Sequence, residues 1–265
     1  MNMVEKNKLS RGRLALVHLG VSALIAALAA LLVFKLWYPQ PYRALTGGLQ
    51  LFVILVCVDL VCGPLFTFIL GNPKKSRREL TLDLSLVVII QLAALAYGLY
   101  SVKEARPVLL SFELDRMAVV TEAQIDKEDL PNAPTGMQRL PLTGIQKIGI
   151  RRANTEQEFF ESVNLSMQGI EPSLRPSWWR PFEEVLPEVK QRMVALSKIN
   201  NDKLDESVRT ELEQAAAQTG LARDQLYFLP LTSQHSQNWI VLLNGDADFV
   251  GYAEVNGFDL KDKGL

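Results

Sequence analysis

Three long apolar runs open the chain, and a shorter-period pattern of apolar and polar positions follows them. Between Leu14 and Phe34 the only ionisable side chain is His18. At 1.5 Å per residue, a helix of that length crosses a bilayer core of about 30 Å. The run carries on through Leu31-Leu32-Val33-Phe34 into Trp37-Tyr38 instead of stopping at a small-residue cleavage site, so it reads as an uncleaved helix with an interfacial aromatic belt. A second run covers 47–70 and a third 80–100, the latter closed by Tyr97 and Tyr100. The predicted order is a tail at 1–13, helices at 14–36, 47–70 and 80–100 joined by loops at 37–46 and 71–79, and a domain at 101–265. The fold class this implies is an integral membrane protein with three transmembrane α-helices followed by an α+β domain.

Beyond Tyr100 the period shortens to two. Val108–Leu114 and Met117–Val120 read as a strand or hairpin, and Ile145–Ile150 as another strand after a proline-rich stretch. Residues 154–168 predict a helix capped by Asn154 or Thr155. A further helix is expected from about Pro187 with Val189, Met193 and Leu196 on its stripe, and a surface helix from Leu204 to Gln218 ending at Gly220. The chain closes with strands at Leu226–Leu231, Trp239–Leu243 and Phe249–Val255. The last two are joined by Asn244-Gly245-Asp246-Ala247-Asp248, read as turn chemistry, since two aspartates lack the remaining ligands of a calcium loop.

Charge divides the chain at the same place. Residues 1–100 carry a net charge of +6 and residues 101–265 carry −7, which the total of −1 conceals. An acidic second half without a basic run argues against a nucleic-acid partner. Lys6, Lys8, Arg11 and Arg13 precede the first helix and Lys74, Lys75, Arg77 and Arg78 follow the second, whereas the 37–46 loop offers only Arg43. The positive-inside rule then makes tail and second loop cytoplasmic and puts residues 101–265 outside, in the periplasm of a bacterium. Cys57 and Cys62 stand alone and His18 and His235 are far apart, so no metal site can be written and neither cofactor nor catalytic residue is assigned.

Several residues are too costly or too patterned to be filler. Asp59 falls near the midplane of helix two, where a charge costs about 2.5–3.5 kcal/mol on insertion scales, so it must face protein or be protonated. Gly63 and Pro64 lie one turn on, and proline frees a carbonyl near Leu60 and kinks the helix. Asp59 either packs against a neighbouring helix or docks a partner. Ser22, Ala26 and Ala30 form a small-residue stripe on helix one, packing either on the chain's own helices or on another protein's. Asp83 is expected to reach the interface or pair with Arg77 or Arg78. Trp178 and Trp179 are either clamped onto the core or exposed as a partner contact.

Asp59-Leu-Val-Cys-Gly-Pro-Leu-Phe-Thr-Phe-Ile, Asn72-Pro-Lys-Lys-Ser, Gln91-Leu-Ala-Ala-Leu-Ala-Tyr-Gly-Leu-Tyr, Ala105-Arg-Pro-Val and Phe112-Glu-Leu-Asp-Arg resemble the TfpX/TfpZ family of type IV pilin accessory proteins over residues 10–120. The resemblance implies a non-enzymatic inner-membrane protein that assists or modulates assembly of a major pilin. Its implied partners are that pilin, the lipid bilayer and other pilus assembly components. The chain is not itself a pilin, lacking a Gly-Phe-Thr-Leu-x-Glu processing site before its first helix. On this reading Asp59, Gly63, Pro64, Ser22, Ala26 and Ala30 contact pilin in the membrane, and Trp178 and Trp179 outside it. The competing expectation is a membrane-anchored sensor whose signal passes to a separate cytoplasmic partner.

Overall fold

The structure, a computed structural model, describes residues 11–72 and 75–264. The expectations for residues 1–10 of the tail, with Lys6 and Lys8, and for Pro73 and Lys74 of the second loop lie outside the described residues. The chain divides into two compact bodies. One holds the helices up to Trp37 and those of Gly47–Glu104; the other unites Tyr38–Thr46 with the chain from Ala105 onward.

In the first body α1 (Arg11–Leu32) runs into a π-type turn at Val33–Trp37. After α2 (Tyr42–Leu45), which belongs to the other body, come α3 (Gly48–Leu70) and α4 (Arg77–Glu104). All three long helices have the length and apolar composition to cross a membrane. They expose Leu24, Ile54 and Ile89 at 62% each, a surface that suggests association with lipid. α3 packs against both α1 and α4. Gly98 brings α4 close to α3, since a methyl there would overlap the Leu55 side chain. Pro64 does not end α3, which continues to Leu70.

α4 is longer than expected at both ends. Ser76 and Glu79 cap it reciprocally: the Glu79 N–H donates to Ser76 Oγ at 3.3 Å and the Ser76 N–H to Glu79 Oε2 at 2.9 Å. That capping box, and not the first apolar residue, starts the helix. Asp83 pairs with Lys75 at 2.5 Å, correcting the expected Arg77 or Arg78. Residues five and six positions apart on a helix point to different sides, so those arginines cannot turn to it.

The second body is built on an eight-stranded mixed sheet. β1 (Pro107–Glu113) and β2 (Arg116–Thr121) form an antiparallel hairpin. β1 also pairs in parallel with β3 (Gln146–Ile150), which carries β4 (Trp179–Pro181) antiparallel at the edge. On the other side β2 pairs in parallel with β6 (Tyr227–Thr232), followed antiparallel by β7 (Trp239–Leu243) and β8 (Phe249–Ala253). The two-residue β5 (Val194–Ala195) pairs with β6. β1 is buried along its whole length, so the alternation expected of a half-exposed strand is lost. Leu110 and Phe112 face one core, while a bulge near Pro107 sends Val108 and Leu109 to another beside Ile125 and Trp179.

Around the sheet lie α5 (Glu156–Met167), α6 (Phe182–Arg192), α7 (Glu206–Thr219) and α8 (Gly257–Gly264). α6 starts after Pro181, not near Pro187, which lies inside it. Its buried face is therefore Phe182, Val185 and Val189, and Met193 and Leu196 fall beyond its end. α6 rests on β3 at Gly149, where a methyl would overlap Val185. α7 stops at Gly220 in the left-handed conformation, φ 71°, and is more than a surface helix, burying Leu212 and Ala215 with Ile240, Leu242 and Ala253. In the β7–β8 turn, Asn244 Oδ1 accepts from the N–H groups of Asp246 and Asp248.

The 37–46 loop is not a plain connection. Tyr42 and Leu45 insert into the sheet core beside Leu229, Leu231 and Val241. The Tyr42 and Tyr252 hydroxyls are 2.9 Å apart, and Ser233 Oγ donates to the Leu45 carbonyl. Burial, and then the neighbouring Tyr252, pushes the Tyr42 phenol far above its ordinary range.

Candidate functional site

A line of polar side chains crosses the interior of the apolar bundle. α1 supplies His18 and Ser22, one turn apart on one face. α3 supplies Asp59, Gly63 and Thr67 at four-residue intervals, all buried, and α4 supplies Gln91. His18 Nδ1 lies 2.5 Å from Thr67 Oγ1 and His18 Nε2 2.7 Å from Gln91 Oε1. Gln91 Nε2 donates to Ser22 Oγ at 3.0 Å and to the Asp59 carbonyl at 3.1 Å.

The amide fixes the sense of this chain. Gln91 Oε1 can only accept, so His18 Nε2 carries a proton, and in the neutral ring Nδ1 accepts from the Thr67 hydroxyl. The His18, Thr67 and Gln91 side chains are then satisfied without a formal charge, the cheapest arrangement in an apolar surrounding. Gly63 makes room for it, because a methyl there would overlap the Gln91 amide.

These side chains floor a groove between α1 and α4. Its volume is about 250 Å³, and Val17, Val21, Val88, Leu92 and Leu95 form apolar walls around His18, Ser22, Asp59, Thr67 and Gln91. Asp59 is only 7% exposed and opens on this groove. The groove is open to the outside of the bundle, so side chains of a helix lying alongside can enter it.

The structure brings Ser22, Asp59 and Gly63 together in one place. Pro64 is their neighbour on α3, and Ala26 and Ala30 are half-buried further along α1. Trp178 and Trp179 lie elsewhere, clamped onto the core as the first of the two expected alternatives had it, and the exposed partner contact is corrected. Both are buried. The Arg151 and Arg175 guanidinium groups each stack on Trp178 at 4.4 Å, and Trp179 Nε1 donates to the Ser173 carbonyl at 2.8 Å. His18, Thr67 and Gln91 were not singled out in the sequence. Each is a hydrogen-bonding side chain in an apolar run, and the four-residue step Asp59-Gly63-Thr67 was the legible signal.

Comparison with known proteins adds lineage to this geometry. Residues 6–47 match the family described as fimbrial assembly protein FimB. The chain is 34% identical over 247 residues to the fimbrial assembly protein of serogroup I of Dichelobacter nodosus, covering 92% of this chain and 95% of that one. It is 34% identical over 248 residues to the serogroup E1 protein, with the same coverage. Its identity to the fimbrial assembly protein of serogroups C1 and C2 is 44% over 117 residues, which is 44% of this chain and 89% of that protein. No solved structure matches it.

Proposed function

The chain belongs to the fimbrial assembly protein family, and from that premise we propose that it is a non-enzymatic accessory protein of type IV pilus assembly in the bacterial inner membrane. Within that role it resembles TfpX/TfpZ proteins, and the partner is the major pilin. α1, α3 and α4 span the bilayer, with Arg11, Arg13, Lys75, Arg77 and Arg78 at the cytoplasmic end. The union of Tyr38–Thr46 with the domain after Glu104 supports an even number of spans between them, α3 and α4. Both segments must lie on one side of the membrane, and that side is the periplasm.

The observation that carries the docking part is the groove between α1 and α4, apolar at its walls and polar at its floor. An apolar helix has nothing to gain from leaving lipid for an apolar surface, so helix recognition in a bilayer rests on close packing and on polar groups that need partners. Asp59 supplies such a group, held in place beside the His18–Gln91 line, and the groove gives side chains of a pilin helix a place to reach it. The bundle thereby holds the pilin while the periplasmic domain stands beside its head.

The test is to solubilise the full-length protein gently from its native membrane and identify what co-purifies. Major pilin is expected as the leading enriched chain. Asp59→Asn and Gln91→Leu are each expected to lower its recovery about tenfold, equivalent to 1.4 kcal/mol, at unchanged abundance of the protein. Pilin absent at normal expression, with a cytoplasmic kinase enriched instead, would overturn this reading in favour of a sensor.

A further inference from the structure

α5 is amphipathic the wrong way round. Its inner side is polar: Arg151 donates to Glu158 Oε1 at 2.6 Å, Arg175 donates to Ser162 Oγ at 2.6 Å, and Ser162 is buried. Its outer side is apolar. Phe159, Phe160, Val163 and Met167 are exposed at 55%, 68%, 43% and 83%. At 100° per residue these four share one face, opposite Ser162 and Glu158. Beyond the helix end, Gly169 turns left-handed, the Ile170 N–H returns to the Leu165 carbonyl at 3.0 Å, and the Ile170 side chain is exposed. Among the described residues of the domain, the other large apolar side chains this exposed are Leu114 and Leu142.

The helix is held in this orientation firmly. Thr155 caps its first turn by accepting from the Glu158 N–H, and the two arginines that grip its inner side are themselves stacked on the buried Trp178. Phe159 and Phe160 meet edge to face at 5.7 Å. The apolar face is thus displayed by built contacts, with its aromatic rings ordered in advance.

Charge selects the occupant. From Ala153 to Leu174 there are four glutamates and no lysine or arginine. Arg151 and Arg152, just before the helix, are directed at Glu158 and Glu188. Helices that lie on anionic membranes carry the opposite sign on their polar face. At 1.5 Å per residue and about 10 Å across, the outward face of this twelve-residue helix covers roughly 200 Å², short of the ~800 Å² per partner of a stable dimer. It fits a partner that arrives and leaves.

We propose that the outward face of α5 is a docking surface for the fimbrial subunit, taking an apolar segment of it bordered by lysine or arginine. This rests on the reading that the chain handles a fimbrial subunit, and adds a second contact, outside the groove. Glu158 and Glu171 are paired with Arg151 and Arg116, so the exposed Glu156 and Glu161 steer the basic flanks, and the aromatic pair supplies the anchor.

The experiment is photo-crosslinking in the native membrane with the full chain, benzoylphenylalanine replacing Phe160 or, as a control exposed elsewhere on the domain, Leu142. Blots are read with antisera to the major fimbrial subunit and to this chain. From position 160 an adduct with the subunit is expected, and from 142 none. Phe159→Glu, or added salt, should reduce the adduct about tenfold at unchanged abundance of the protein. An adduct of this chain with itself, or no protein adduct because the probe meets only lipid, overturns the inference. If the unmodified chain still co-purifies with the subunit in that case, the proposed function stands and α5 alone is excluded. Failure of the unmodified chain to co-purify removes both.

Discussion

The helical bundle and the sheet domain invert one another. In the bundle, Asp59, Gly63 and Thr67 are buried while Leu24, Ile54 and Ile89 face out. In the domain, Leu229, Leu231 and Val241 are sealed from solvent and the polar side chains form the surface. The difference teaches that neither body follows a rule of apolar inside. With the bundle in lipid, as proposed, each hides what its own solvent treats badly. Burial of hydrocarbon therefore drives the domain but supplies little to the bundle, where hydrogen bonds and close glycine contacts must do the holding. α5 follows the bundle's pattern inside the domain, which is why its apolar face calls for a partner.

The largest test of this contrast removes hydrocarbon from each body. Leu229→Ala should cost about 2–5 kcal/mol by chemical denaturation of the domain. Ile89→Ala, on the outside of the bundle, should shift stability in detergent by less than about 0.5 kcal/mol. Equal losses would erase the distinction. Next comes one methyl added at two glycines. Gly149→Ala drives into the branched Val185 and should cost about 3 kcal/mol. Gly63→Ala meets the movable end of Gln91 and should cost only about 1 kcal/mol, through displaced hydrogen bonds; in a chain already carrying Gln91→Ala it should cost nothing further.

Smaller still is the polar line itself. A double-mutant cycle on His18→Phe and Gln91→Leu, read as thermal stability in detergent, should give a coupling of about 0.6–1.7 kcal/mol. The smallest effect is electrostatic and lies in the domain. Burial pushes the Asp129 carboxyl up, but the Ser177 N–H and the Asn132 amide outweigh it and hold the group below its ordinary 3.8. The unfolded chain then takes up the proton first. This contribution is present above that value and is lost as pH falls through the lower, folded pKa. Asp129→Asn should flatten acid unfolding there.

The sequence carried the helices well because an unbroken apolar run has few alternatives. The ends were less legible: α4 starts at a capping box that looks like loop, and α6 starts after Pro181, whereas Pro187 has the same local signature. Asp59, Gly63 and Ser22 could be singled out because charge, missing Cβ and small size are properties of one residue. His18, Thr67 and Gln91 matter only through one another, and no spacing along the chain says that α1 and α4 face each other across α3. The fate of Tyr42 and Leu45 was hidden for a similar reason, their partners being on strands made last.

That late meeting limits how the protein can be taken apart. Tyr42 finds Tyr252 across 210 positions, so during synthesis the short segment between α1 and α3 waits with its apolar side chains unmatched until β6, β7 and β8 exist. Contacts so remote close slowly. A polypeptide begun at Ala105 would hold every strand and still have a hole where Tyr42 and Leu45 belong. A nine-residue peptide spanning 38–46, supplied separately, is the missing plug, and the two pieces should reassemble as a split protein does.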